Sequence, residues 1–118
     1  MNIDEVIKSH SDWKIKLQRY LNNPDGSIDV NNLEKDTVCA FGQWVYSIND
    51  EKTKSFPHLT TLIEEHKKFH KAAADIVKRK NKGEDVKEEI ALSADSDFSQ
   101  SSMNVVSLLM KLKKHLAS

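Results

Sequence analysis

Two histidines four residues apart, His66 and His70, open the chemistry of this chain. They lie in Thr61-Leu-Ile-Glu-Glu-His66-Lys-Lys-Phe-His70-Lys-Ala-Ala-Ala74. Around them Leu59, Leu62, Ile63, Phe69, Ala73, Ile76 and Val77 recur at the i, i+3, i+4, i+7 spacing of a helix face turned toward a core. Residues four apart are neighbours on a helix surface, so both imidazoles can reach one point. Histidine has only an intermediate tendency to be buried. Two in one core need either hydrogen-bond partners or a shared metal. The expectation here is a shared metal, with further ligands from elsewhere in the chain.

Two residues complete such a set. His10 falls in the apolar stripe Ile3, Val6, Ile7, His10, Trp13, Leu17, Tyr20 and Leu21. Cys39, the sole cysteine, sits among Leu33, Val38, Phe41, Trp44, Val45 and Ile48. Three imidazoles and one thiolate (His10, Cys39, His66 and His70) make a closed, tetrahedral Zn2+ set. The thiolate argues against magnesium and calcium, which prefer oxygen ligands. Four protein ligands leave no open coordination position, so no hydrolytic zinc chemistry, and no enzyme, is expected. A zinc-protease helix would need Glu directly after the first histidine, where Lys67 stands. A di-iron bundle would need inward carboxylates three before each histidine, where Ile63 and Lys67 stand.

A single core cysteine or histidine is ordinarily packing. The gathering of four such residues on buried stretches of three helices is what points to a metal. His58 and His115, at a helix start and near the chain end, read as surface residues. Trp13, Trp44 and Phe69 read as core that would shield the site from water. Asp36, three before Cys39, is a candidate acceptor for a ligand imidazole N–H.

Four helices must position these residues. The first is expected from Ile3 to Asn22, broken by the turn residues Asn22-Asn-Pro-Asp-Gly26. The second is expected to start near Asp29–Asn32, carry Cys39 in a stretch apolar on most sides, and end at Asn49-Asp50-Glu51-Lys52. Gly42 disfavours a helix interior by about 0.5–1 kcal/mol relative to Ala. One turn after Cys39, it would let another helix or a ligand side chain come close. The third runs from Ser55-Phe56-Pro57 to about Asn81 and stops at Lys82-Gly83. The fourth is expected from Glu84 or Asp85, with the stripe Val86, Ile90, Ala94, Phe98, Ser101, Val105, Leu108, Leu109, Leu112 and Leu116. Ser93–Asp97 is weak helix within it and could hold a bend. Short turns between amphipathic helices predict an all-α fold, an antiparallel four-helix bundle with zinc in its core.

Size and composition agree. A chain of 118 residues is one domain, 1–118, large enough for a core without disulfides. One cysteine permits no internal disulfide, and a reducing cytoplasm is the expected location. The polar first residues show no secretory signal, and no apolar run is long enough for a membrane span. Eighteen basic residues balance eighteen acidic ones, which leaves no electrostatic footprint for nucleic acid.

Three motifs in order, His10-Ser-Asp-Trp13, Cys39-Ala-Phe-Gly42-Gln-Trp44 and His66-Lys-Lys-Phe-His70, resemble the chemoreceptor zinc-binding (CZB) domain family. The family pattern is His-x-x-Trp, Cys-x-Φ-Gly-x-Trp (Φ apolar) and His-x-x-x-His, and the resemblance extends over nearly the whole chain. It implies a cytoplasmic four-helix bundle that binds zinc through His10, Cys39, His66 and His70 and forms a homodimer. It further implies a sensory or regulatory role in bacterial signal transduction. The partner would be a chemoreceptor or a diguanylate cyclase of cyclic-di-GMP signalling, and the input zinc or an oxidant such as hypochlorous acid acting on the zinc-bound cysteine. The alternative is a zinc-stapled dimerisation module that senses nothing. A third reading, an iron-containing enzyme or oxygen-binding bundle, lacks the inward carboxylates it requires.

Overall fold

The longest helix, α6 (Leu59–Asn81), forms around the histidine stripe. Leu62, His66, Phe69, His70, Ala73, Ala74, Ile76 and Val77 are its buried residues, and the lysines and acids between them face solvent. Its C-terminal turn carries Lys78, Arg79 and Lys80, favourable beside the negative end of the helix dipole. Gly83, at φ +87°, then reverses the chain in a conformation open to glycine at no steric cost. The computed structural model describes residues 2–37 and 39–118. Among them every regular element is helical.

In chain order, the elements before α6 are α1 (Ile3–Ser11), α2 (Trp13–Asn22), α3 (Val30–Glu34), α4 (Ala40–Val45) and α5 (Glu51–Lys54). After it come α7 (Glu88–Ala91) and α8 (Asp97–Ala117). The first expected helix is present with one interruption at Asp12, whose backbone stays right-handed helical. The third is present, starting at Leu59, two residues past Pro57.

The second expected helix is not continuous. Asp29 accepts hydrogen bonds from the N–H groups of Asn31 and Asn32 and starts α3, which stops after one turn at an extended Lys35. A turn follows, and α4 begins only after Cys39, whose backbone is extended. A third piece, α5, is capped by Asp50, which accepts from the Thr53 N–H and hydroxyl. The apolar run around Cys39 therefore belongs to separate short helices, not to one helix buried on several sides. Val38, assigned to that helix from its sequence, lies outside the described residues.

The fourth expected helix is also split. Serine hydroxyls between α7 and α8 and in the first turn of α8 bond to nearby carbonyls (Ser93 to Ile90, Ser96 to Ser93, Ser99 to Leu92) and draw the backbone out of the helical ladder. Ser96 then caps α8 by accepting from the Ser99 N–H. The break changes the register. Ile90 is 68% exposed, Ala94 is exposed, and Leu92 is buried in their place. From Phe98 onward the stripe holds, with Val105, Leu109 and Leu112 at zero exposure.

The core lies where α6 meets α8, its most extensive partner, with α3 and α2 also on α6 and α1 on α8. Phe69 of α6 packs on Phe98 of α8, ring centroids 5.4 Å apart. Polar links pin the ends. Asp4 pairs with Lys113 at 2.8 Å, Glu34 with Lys78 at 2.8 Å, and the Tyr20 hydroxyl donates to Asn81. Such exposed ion pairs contribute only about 0–1 kcal/mol each and act chiefly on register. None of the described helices is long and apolar enough to cross a membrane.

The register before α8 is testable. Leu92→Ala should cost about 2–5 kcal/mol in urea unfolding, as a buried leucine does, and Ile90→Ala under about 0.5 kcal/mol. The reverse order would restore the continuous helix expected from the sequence.

Candidate metal centre

Each of the four residues reaches the site from a different local device. His10 lies at the end of α1, and its Nδ1–H donates to the Val6 carbonyl at 2.8 Å, one turn back in the same helix. His70, in the middle of α6, donates its Nδ1–H to the Leu33 carbonyl of α3 at 2.7 Å. A carbonyl can only accept, so both rings hold their proton on Nδ1 and leave Nε2 free with its lone pair. His66, one turn before His70, brings its Nε2 to 3.1 Å from that of His70 and 3.3 Å from the Cys39 Sγ. Cys39 is the N-cap of α4, and its sulfur accepts the Gly42 N–H at 3.3 Å.

Gly42 is essential to this turn. A Cβ there would lie 1.7 Å from the Asp36 carbonyl oxygen. The close approach anticipated at this glycine is thus made by the chain's own backbone and not by another helix or a ligand. It folds the turn at Asp36 and Thr37 over the start of α4, whose cap is Cys39. The Asp36 carboxylate accepts from the Tyr46 hydroxyl at 2.6 Å, and backbone carbonyls orient the imidazoles of His10 and His70 in its stead. Nothing in the sequence signals the Leu33 carbonyl, because a backbone acceptor carries no residue signature. Phe41 was legible only as core. Its ring stands edge-on to His66 at 4.9 Å and to His10 at 6.3 Å and forms one wall of the site. Phe69 closes another side, 5.2 Å from His10. Trp13 and Trp44 are half-buried and more peripheral than expected.

One ligand atom from each of His10, Cys39, His66 and His70 lies within 4.8 Å of the others. In a tetrahedral zinc shell, bonds of about 2.0–2.1 Å to nitrogen and 2.3 Å to sulfur place donors roughly 3.3–3.6 Å apart. The closest pairs already sit near that spacing, and the widest must close by about 1 Å. Hydrogen bonds alone do not serve this cluster. His66 Nδ1 is buried without a partner. If His66 is protonated there, its Nε2 lone pair faces that of His70. If it is protonated on Nε2, the buried Nδ1 lone pair stays bare. Lone pairs directed at one point are what a cation requires, so the donor set fits zinc.

Burial gives the electrostatics the same sense. It pushes the His66 pKa down to about 3, with His70 and His10 adding to the effect. His10 and His70 are lowered less, because the Val6 and Leu33 carbonyls favour their protonated forms. All three imidazoles are therefore neutral, as ligands must be, at neutral pH. Burial pushes the Cys39 thiol up, and the Gly42 N–H only partly opposes this. The thiol must lose a proton when it ligates. His58 is exposed, and His115 is half-buried far from the cluster, donating its Nε2–H to the Lys52 carbonyl.

An all-helical body with three imidazoles, two of them tautomer-ordered, and a thiol gathered at one point defines a helical metal-binding domain. The chain belongs to the chemoreceptor zinc-binding domain family, which matches residues 10–77. The match includes all three motifs and all four residues of the cluster but ends within α6, so α8 lies outside it and the match covers less than the nearly whole chain expected. No curated protein and no solved structure matches the chain. The family is a zinc-binding one, and the cluster of His10, Cys39, His66 and His70 is suited to a metal ion.

Two outcomes test this geometry. Gly42→Ala should lose about 1–3 kcal/mol in urea unfolding, because a backbone carbonyl must move. In the metal-free protein the depressed histidine pKa values set a pH dependence. The unfolded chain takes up protons below its ordinary value of about 6.5 and the folded chain does not. Stability is fully present above that value and falls as the pH drops toward 3, with His66 alone accounting for on the order of 2 kcal/mol by about pH 5. Thermal melts in chelator from about pH 7.5 to about pH 5 should show a steady fall in Tm. A flat profile would contradict the burial of unprotonated rings.

Proposed function

We propose that residues 1–118 form a single sensory or regulatory domain that binds one zinc ion through His10, His66 and His70 Nε2 and Cys39 Sγ. The observation that carries this reading is the convergence of four donors on one point, with His10 and His70 held in the ligating tautomer by backbone carbonyls. We read the helices as an antiparallel four-helix bundle. Its layers are α1–α2, the broken α3–α4 pair, α6 and α8. The end-to-end links support this. Asp4 meets Lys113, Ser55 meets His115, Phe69 meets Phe98 and Tyr20 meets Asn81, a pattern in which α8 runs against both α1–α2 and α6.

Bound zinc would supply a cross-link between α1, the start of α4 and α6 and would hold Cys39 as the thiolate. Binding energy then becomes conformational energy. Occupancy biases the arrangement of the helices, and a partner or attached output domain of the chemoreceptor or diguanylate cyclase type reads it. A homodimer in the cytoplasm fits this role, with chemotaxis or cyclic-di-GMP signalling as the output. Cys39 is the one oxidisable donor. Its sulfur takes the chlorine of hypochlorous acid with release of hydroxide, and water then displaces chloride to leave the sulfenic acid, a weaker ligand. The chain has no second cysteine, so reversal needs a thiol from outside. No catalytic role is assigned to any residue. A second reading, a permanent zinc staple for dimerisation without sensing, is favoured by the near-complete burial of all three imidazoles.

Metal content decides the ligand set. Wild type purified without a histidine tag should carry about one zinc per chain, and Cys39→Ala should lose most of it. His58→Gln and His115→Gln should keep it. A full equivalent of tightly held zinc in Cys39→Ala would exclude the four-ligand site.

A further inference from the structure

The three imidazoles are at most 4% exposed, and Cys39 is the only half-buried donor. A cleft of about 880 Å³ opens beside α2 and α3, and both Cys39 and His70 line it. Two further grooves, one beside α6 and α7 and one along α8, are lined by none of the four residues. The volume lies in the range of roughly 300–1,000 Å³ that accepts whole organic ligands, far more than one ion needs. Its walls are mixed. Trp13, Ile28 and Leu33 supply apolar surface, and polar residues of the 22–29 loop supply hydrogen-bonding groups.

We infer that this cleft is a binding site for small organic chelators, of the size of an amino acid or a pyridine carboxylate, which exchange the metal with the site directly. This rests on the four-ligand reading above. A bare ion leaving a closed four-donor set would have to shed every bond before finding water. A chelator seated in the cleft offers a replacement donor first. Cys39 is the ligand it displaces, because that side chain is both at the cleft wall and on a short capped turn instead of inside a helix. The new donor's bond to the metal forms as the Cys39 Sγ bond opens, and the thiolate then takes a proton from solvent. His70 is second in line, since it also faces the cleft, and His66 and His10 follow. Leu33 links the cleft wall to the site. It is among the residues that line the cleft, and its carbonyl holds His70 Nδ1, so an occupant that moves α3 also loosens His70.

The experiment follows zinc transfer from loaded full-length chain to pyridine-2,6-dicarboxylate by stopped flow, after zinc content has been measured. The observed rate should rise in proportion to chelator concentration. Ser27→Trp and Asn23→Trp, at exposed positions on the cleft wall, should each lower that slope about tenfold or more while zinc content stays at wild-type level, a barrier raised by about 1.4 kcal/mol. Ser107→Trp, in the groove along α8 that holds no donor, should leave the slope unchanged. A rate independent of chelator concentration would overturn the inference, since the ion would then leave by opening of the bundle. So would an unchanged slope in both cleft variants with folding and zinc content intact. Wild type that holds no zinc would instead overturn the four-ligand reading itself, and the inference with it.

Discussion

The structure depends on the cost of burying imidazoles. Three of them, with a thiol, occupy the centre of a small helical core, where unpaired polar groups cost on the order of 1–3 kcal/mol each. His10 and His70 meet that cost on one side by donating to carbonyls, which leaves a lone pair on the other side of each ring. His66 has no such partner and shows the deepest loss of basicity. A cation at the point where the Nε2 lone pairs meet engages all three rings at once, and of their outer nitrogens only the His66 Nδ1 stays without a partner. The same desolvation that makes the site costly when empty keeps its imidazoles neutral and ready to ligate.

The backbone around the site follows from that requirement. A continuous helix would carry Cys39 in its interior, with its backbone N–H and carbonyl committed to the ladder. The chain instead leaves the helix at Lys35, turns at Asp36 and Thr37, and restarts at Ala40 with Cys39 as the cap. Sulfur takes the place of the usual oxygen acceptor at a helix N-terminus and receives the Gly42 N–H. The turn closes only because Gly42 has no side chain where the Asp36 carbonyl must sit. The site is thus held by two long helical surfaces and one tight turn. The turn is its most accessible part and carries its only oxidisable donor.

The family likeness and the packing divide the molecule differently. The match covers residues 10–77 and every donor, whereas the core needs α8 to cover α6. The four clustered residues all lie in the matched part, and α8, which packs on α6, lies outside it. Ser101, buried on α8, bonds back to the Asp97 and Phe98 carbonyls and adds no polar group to the site, so α8 serves it by excluding water.

The sequence by itself singled out the four residues that the structure clusters, the all-helical class and the faces of α1–α2, α6 and the second half of α8. Those features rest on residue type and on a 3.6-residue period, both local and readable without a partner. His58 was legible as surface for the same reason. Tertiary structure decided what local pattern cannot encode. An apolar run such as that around Cys39 looks the same whether one helix or two short ones bury it, and the choice came from the Gly42–Asp36 contact across a turn. The serines before α8 carry equal local preference for a bend or a break, and the burial of Leu92 over Ile90 resolved it. The carbonyl of Leu33, which orients His70, is a backbone atom and leaves no trace in the sequence. Only the packing of α3 on α6 brings it 37 residues along the chain to the ring it holds.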